Sequence, residues 1–286
     1  MPVKINVQNL IKVFGEEPHK ALVMLKNGAG KSQILAETGQ TLAINDVSFT
    51  VQAGEIFVIM GLSGSGKSTV LRCLNRLIEP SSGTVLLDGE DVTQLKPREL
   101  RLVRRQKMAM VFQQFGLLPH LTVLQNAAYG LEVRGLDSGE REERARKYLD
   151  LVGLSGWEHS YPDDLSGGMK QRVGLARALT SETGILLMDE AFSALDPLIR
   201  QELQGELLKL QEQMNKTVVF VTHDFNEAVR LADRIAFIRD GSLVQVGAPK
   251  DIIAEPADEY VAKFIKGMAG LKGDEAGVSP TIGRVS

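Results

Sequence analysis

The chain has 286 residues, 43% hydrophobic and 24% charged, with a formal net charge of −3. That length can bury a full core as one domain or as a domain with a subdomain, and the near-neutral balance lacks the basic footprint of a nucleic-acid binder. No apolar run approaches the roughly 20 residues of a membrane-spanning helix, and the single cysteine, Cys73, excludes an intrachain disulfide.

From the N-terminus, "MPVKINVQNLIKVF" alternates polar and apolar residues as a strand does and lacks the apolar block of a secretory signal. With no signal and no disulfide, the expected residence is cytosolic. Next comes "HKALVMLKN", which mixes apolar and charged residues at helical spacing, and then "GAGKSQ", which contains Gly-Lys-Ser. A phosphate-cradling loop requires G-x-x-x-x-G-K-[ST] between a buried strand and a helix. Here Leu25 stands where the first glycine belongs and no buried strand precedes it. The predicted structure is a surface turn opening a short helix, "KSQILAET", stopped by Gly39.

The second Gly-Lys-Ser stretch, "GLSGSGKST", satisfies the pattern at Gly61, Gly66, Lys67 and Ser68. The strand "EIFVIM" precedes it and the apolar helix "TVLRCLNRLI" follows, so the backbone N–H groups of the loop and the helix N-terminus are set to wrap phosphates. Lys67 is expected to reach the β and γ oxygens and Ser68 to hold magnesium, with Ser63, Gly64, Ser65 and Thr69 completing the cradle. One nucleotide loop per chain follows.

Further on, "MAMVF", "GILLMD" and "TVVFVT" read with "EIFVIM" as strands of a mostly parallel sheet covered on both faces. Between about residues 114 and 164 helical patterning dominates, which predicts an inserted helical subdomain. Within it, Ser138 to Gly153 reads as a charged helix with Ser138 as N-cap and Gly153 as stop. "GILLMDE" ends in Asp189, placed to join a magnesium shell, and Glu190, placed to polarise an attacking water. Taken alone, the pair also fits a solvated strand end. In "LSGGMKQR" Ser166 and the paired glycines open a helix, a second anion-binding terminus or a plain N-cap. "RIAFIRDGSLVQVG" reads as a hairpin turning at Asp240-Gly241, and the polar, Gly-rich residues 269–286 as a disordered tail.

"LSGGMKQR" closely resembles the signature motif of ABC-transporter ATPases. With the phosphate loop, "ILLMDE", "SALD" at Ser193 to Asp196, "VFQQ" and "VTHD", six elements stand in the order of that family. The resemblance implies an α/β fold: a P-loop NTPase core with a mixed, mostly parallel sheet, an antiparallel β-subdomain and a helical subdomain at about 114–180, within an ATPase domain spanning 1–268. It implies ATP and Mg2+ as cofactors, Glu190 as general base, His223 on the γ-phosphate, and Gln113 touching the metal or the water. It places Phe14 as an adenine-stacking aromatic, although a lone Phe on a strand also serves as core. Ser166 and Gly168 would contact the γ-phosphate bound on a second copy of the chain in a head-to-tail dimer, and Gly167 and Asp196 would also be nucleotide-binding residues.

The long segment between Phe14 and Leu42, "GEIFVIMGLSGSGKST" and "LNRLIEP" are similar to ATPases of glycine betaine/proline importers and their choline, carnitine or trimethylamine N-oxide relatives. This implies a peripheral protein at the cytoplasmic face of the membrane. Its partners would be a transmembrane permease and, indirectly, a substrate-binding protein. Many such ATPases continue into a regulatory domain; this chain stops at Ser286, so its control is expected to be absent or to reside elsewhere. A soluble ABC-type ATPase and a nonhydrolysing regulatory module are the alternatives. Phe115, Leu117 and Leu118 offer either a groove for a permease helix or subdomain core.

Overall fold

The computed structural model describes residues 2–271 apart from Gln114 and Ala194. In chain order it runs β1 (Val3–Phe14), α1 (Pro18–Lys26), α2 (Lys31–Thr38), β2 (Thr41–Gln52), β3 (Ile56–Met60), α3 (Lys67–Leu74), β4 (Ser82–Leu87), β5 (Glu90–Asp91), α4 (Pro97–Lys107) and β6 (Met108–Val111). There follow α5 (Val123–Val133), α6 (Ser138–Leu151), a 3-10 turn (Pro162–Asp164), α7 (Gly167–Thr180), β7 (Ile185–Asp189), α8 (Pro197–Met214), β8 (Thr217–Thr222), α9 (Phe225–Leu231), β9 (Arg234–Arg239), β10 (Ser242–Gly247), α10 (Pro249–Ala254) and α11 (Glu259–Leu271).

Strands β9, β3, β8, β7 and β6 lie side by side and run parallel, and β10 closes one edge antiparallel to β9. Every residue of β3, β7 and β8 is buried, as their unbroken apolar runs require when both faces of a sheet are covered. Successive side chains of a strand point to opposite faces. Accordingly, Phe57, Ile59, Leu187 and Val219 face a core shared with the second sheet, while Val58, Met60, Met188 and Phe220 face a core shared with the helices. The second sheet is antiparallel, in the order β2-β1-β4-β5, and Phe49 of β2 stacks on Phe57 with ring centroids 5.0 Å apart.

Helices α5, α6 and α7 form the inserted unit, and no strand occurs among the described residues between Val111 and Ile185. Ala127, Ala128, Ala145, Leu149, Val173 and Leu179 join them into the core beneath the sheet. Leu117 packs against that core, Asn126 exchanges hydrogen bonds with the backbone of Leu118 at 2.8 and 3.0 Å, and Arg177 donates to the Phe115 carbonyl at 3.1 Å. All three residues of the expected groove are half-buried parts of this unit.

The hairpin turns at Asp240 (φ 51°) and Gly241 (φ 87°), both in the left-handed region that a tight turn demands. Three local expectations are corrected. The N-cap of α6 is Asp137, whose carboxylate accepts from the Gly139 N–H at 2.9 Å, so Ser138 is already the first helical residue. The helix after the phosphate loop ends at Leu74 instead of continuing to Ile78, because Arg76 takes φ 52° and its guanidinium donates to the carbonyls of Val92 and Leu95, both at 2.8 Å. Helix α11 runs to Leu271, three residues past the expected domain end; residues 272–286 of the expected tail lie outside the described residues.

Candidate nucleotide-binding and hydrolysis site

The phosphate loop joins the carboxyl end of β3 to α3, where an open parallel sheet presents ligand sites. Gly66 adopts φ 103°, and a Cβ there would strike the Ala43 carbonyl; a Cβ on Gly61 would strike the Ile238 carbonyl. Gly64, at φ 75°, has nothing within 4 Å of a would-be Cβ, so its backbone is open to a ligand. The loop is braced from outside. Tyr260 of α11 accepts from the Leu62 N–H at 3.0 Å and donates to the Ile238 carbonyl at 3.1 Å, and Gly241 donates to the Ser65 carbonyl at 2.9 Å.

Above the loop opens a cavity of about 460 Å³, lined by Ser63, Gly64, Gly66, Lys67, Ser68 and Thr69. Gln113, Glu190 and His223 line its head, each from the end of a different strand. Lys67 is buried, donates to the Leu62 carbonyl at 2.9 Å and lies 3.9 Å from Glu190 Oε1. Burial lowers its pKa, an effect opposed by the charges of Glu190 and Asp189. Gln113 Nε2 donates to Glu190 Oε2 at 3.2 Å, and His223 Nδ1 lies 3.4 Å from the same oxygen. Glu190 itself sits at φ 47°, fixed by its N–H to Val221 O (3.1 Å) and by Ser193 Oγ donating to its own carbonyl (2.9 Å). A left-handed conformation at a non-glycine residue costs about 1–3 kcal/mol and persists only where the surroundings impose it.

Asp189 lies behind Glu190, fully buried. Its Oδ2 accepts from Arg72 Nη2 at 2.9 Å and Nε at 3.1 Å, while Oδ1 has no hydrogen-bond partner. Asp189 stays behind the cavity wall, whereas Ser68 and Gln113 line the cavity. The free Asp189 Oδ1, the Ser68 hydroxyl and the Gln113 amide oxygen are oxygen donors of the kind a hard divalent cation takes when a bound phosphate and water supply the remaining ligands. Among the described residues no group of three or more His, Cys, Asp or Glu makes a ready-built metal cage.

The other expected positions stand apart from the cavity. Gly61 and Ser65 shape the loop from behind, Ser65 being buried. Phe14 closes β1 opposite Thr41, which does line the cavity; the residue is 41% exposed and Lys12 Nζ lies 5.0 Å from its ring centroid, so it is no core residue. Ser166 caps α7 by accepting from the Met169 N–H at 3.3 Å, with Gly167 and Gly168 in the first turn. Asp196 caps α8 by accepting from the Ile199 N–H at 3.0 Å. None of the four lines this chain's own cavity. Four residues that do, Lys31, Thr41, Ala43 and Leu62, are absent from the sequence-based set. Arg72 and Tyr260 escape it too, since helix and tail positions carry no motif.

A model of the "ABC transporter" family matches residues 44–193. The chain is 56% identical over 265 residues to the glycine betaine transport ATP-binding protein OpuAA of Bacillus subtilis, covering 93% of this chain and 63% of that protein. It is 49% identical over 281 residues to the trimethylamine N-oxide transport system ATP-binding protein TmoW of Ruegeria pomeroyi, covering 98% and 82%. Thus the chain spans less than two thirds of the length of the first of these relatives. A solved dimeric ATP-binding cassette in a post-hydrolysis state with ADP and phosphate is similar at a TM-score of 0.75 and 33% identity, over 86% of this chain and 98% of that one.

Proposed function

The chain belongs to the ABC transporter family, and from that premise we propose that it is the ATP-hydrolysing subunit of an importer for a small quaternary amine or amine oxide. The observation that carries the hydrolytic reading is the convergence of Lys67, Gln113 and His223 on one carboxylate, Glu190, at the head of the phosphate cavity.

ATP enters with its phosphates along the loop, where backbone N–H groups and the N-terminus of α3 bind the anionic chain. Lys67 neutralises the terminal phosphates, and its burial strengthens that contact. Ser68 and Asp189, with Gln113 alongside, would hold Mg2+, which would supply charge neutralisation at the phosphates. Glu190 accepts a proton from the attacking water, oriented by Gln113, while His223 is placed to hydrogen-bond the γ-phosphate. Ser166 and Gly168, which do not line this cavity, serve the nucleotide of a second copy. Two ATP molecules then close a head-to-tail homodimer, and loss of the γ-phosphate reopens it.

No helix among the described residues is long and apolar enough to cross a membrane. Import therefore needs a separate permease, with the chain at the cytoplasmic face of the bilayer, and a substrate-binding protein that meets the permease and not this chain. The names of OpuAA and TmoW support glycine betaine or trimethylamine N-oxide as the class of cargo.

Glu190→Gln keeps size and hydrogen bonding but removes the base. Hydrolysis is expected to fall by about 10²-fold or more with ATP affinity held within a few fold; hydrolysis at the wild-type rate would remove Glu190 from the mechanism. The transport reading is tested by purification from native membranes in mild detergent: a multi-span permease is expected to accompany the chain, and recovery only with soluble nucleic acid or ribosomes would contradict it.

A further inference from the structure

The first Gly-Lys-Ser stretch returns at the wall of the phosphate cavity. Lys31, its lysine, is the first residue of α2 and lines the same space as Lys67, together with Thr41 and Ala43 of β2. Its backbone is firmly placed. Ile34, one turn on, is fully buried with Val13, Ala21 and Leu42, its N–H donates to the Gly30 carbonyl at 3.0 Å, and Gly39 ends the helix at φ 69°. The half-buried side chain of Lys31 makes no ion pair or hydrogen bond among the described residues. It is a cation without an anion, facing a site built for a polyanion.

The position along the ligand follows from the opposite end. With the terminal phosphate beside Lys67 and Glu190 at the head of the cavity, the wall formed by Lys31, Thr41 and Ala43 is what the cavity leaves for the sugar end of the nucleotide. We propose that Lys31 is a nucleotide-binding residue, its ammonium donating to the α-phosphate and ribose end of the ATP held by the Lys67 loop. This rests on the ATP-site reading above. An ammonium has three donors and no acceptor, which suits phosphate and ribose oxygens. The contact is to atoms shared by ATP and ADP, so it belongs to uniform binding: it tightens substrate and product alike and adds nothing at the reacting phosphorus. The two Gly-Lys-Ser stretches thus serve one nucleotide from two sides.

The test compares the wild-type chain with Lys31→Ala, Lys31→Arg and Lys67→Ala in titrations of ATP and ADP, alongside steady-state hydrolysis. Lys31→Ala is expected to weaken ATP and ADP by the same factor, about three- to tenfold, as for loss of one partly exposed charge-assisted contact. KM should rise by that factor while kcat moves less than twofold, and Lys31→Arg should restore most of the affinity. An unchanged thermal midpoint separates this from collapse of α2. If Lys67→Ala abolishes binding but Lys31→Ala leaves both affinities unchanged, the Lys31 assignment is wrong and the site stands. Loss of ATP but not ADP affinity also overturns it, by moving the contact to the γ-phosphate. If Lys67→Ala binds as well as wild type, the site reading fails and this assignment with it.

Discussion

Glu227 shows how one side chain ties α9, the helix after His223, to α8. It lies in α9, four residues after His223, and accepts from Gln204 Nε2 of α8 at 2.8 Å. Burial raises its carboxyl above the usual 4.5, with hydrogen bonds from Thr222 and Gln204 opposing the shift. The folded chain therefore holds this proton more tightly than the unfolded one. The resulting stability is fully present below the unfolded value and is lost as pH rises through the folded pKa. Glu227→Gln keeps an oxygen for Gln204 and removes the titration, so the denaturant midpoint of the variant is expected to fall less between pH 4.5 and 8 than that of wild type. Parallel pH profiles would contradict this. At this scale the site residues with motif partners, Lys67, Ser68, Asp189 and Glu190, were readable because each sits beside an apolar strand. Lys31 was not, because its role depends on α2 folding against β2, a contact that local spacing does not encode.

Among the elements, those buried on both faces were legible and those set by caps were less so. Strands β3, β7 and β8 are runs of Val, Ile, Leu, Phe and Met that leave little alternative. The start of α6 lies one residue from the position its sequence suggests, since Asp137 and Ser138 are both good caps and only the backbone decides which carboxylate or hydroxyl meets the free N–H. Asp137→Ala is expected to lower stability by about 1 kcal/mol, whereas Ser138→Ala, inside the helix, should change it by less than about 0.5 kcal/mol. Equal losses in urea denaturation would return the cap to Ser138. The end of α3 was likewise hidden: its sequence continues with apolar residues, but Arg76 turns the chain to satisfy two carbonyls outside the helix.

In the whole molecule, the parallel sheet holds Lys67, Glu190 and His223 at the ends of adjacent strands, while the inserted helices carry Ser166 to Gly168 elsewhere on the surface. The class of fold and the order of motifs were legible from alternating strand and helix patterns. The antiparallel sheet entered through family resemblance, because long-range pairing of β1 with β4 leaves no local mark. On the proposal that Ser166 and Gly168 serve a second copy's nucleotide, the site is complete only in the nucleotide-bound assembly. The deciding measurement is the native mass and nucleotide content of the Glu190→Gln chain with Mg·ATP by analytical ultracentrifugation. A dimer carrying two ATP, dissociating when ATP is withdrawn, is the expected result. A monomer at saturating Mg·ATP, or two nucleotides bound per chain, would contradict the shared site and the single phosphate loop on which it depends.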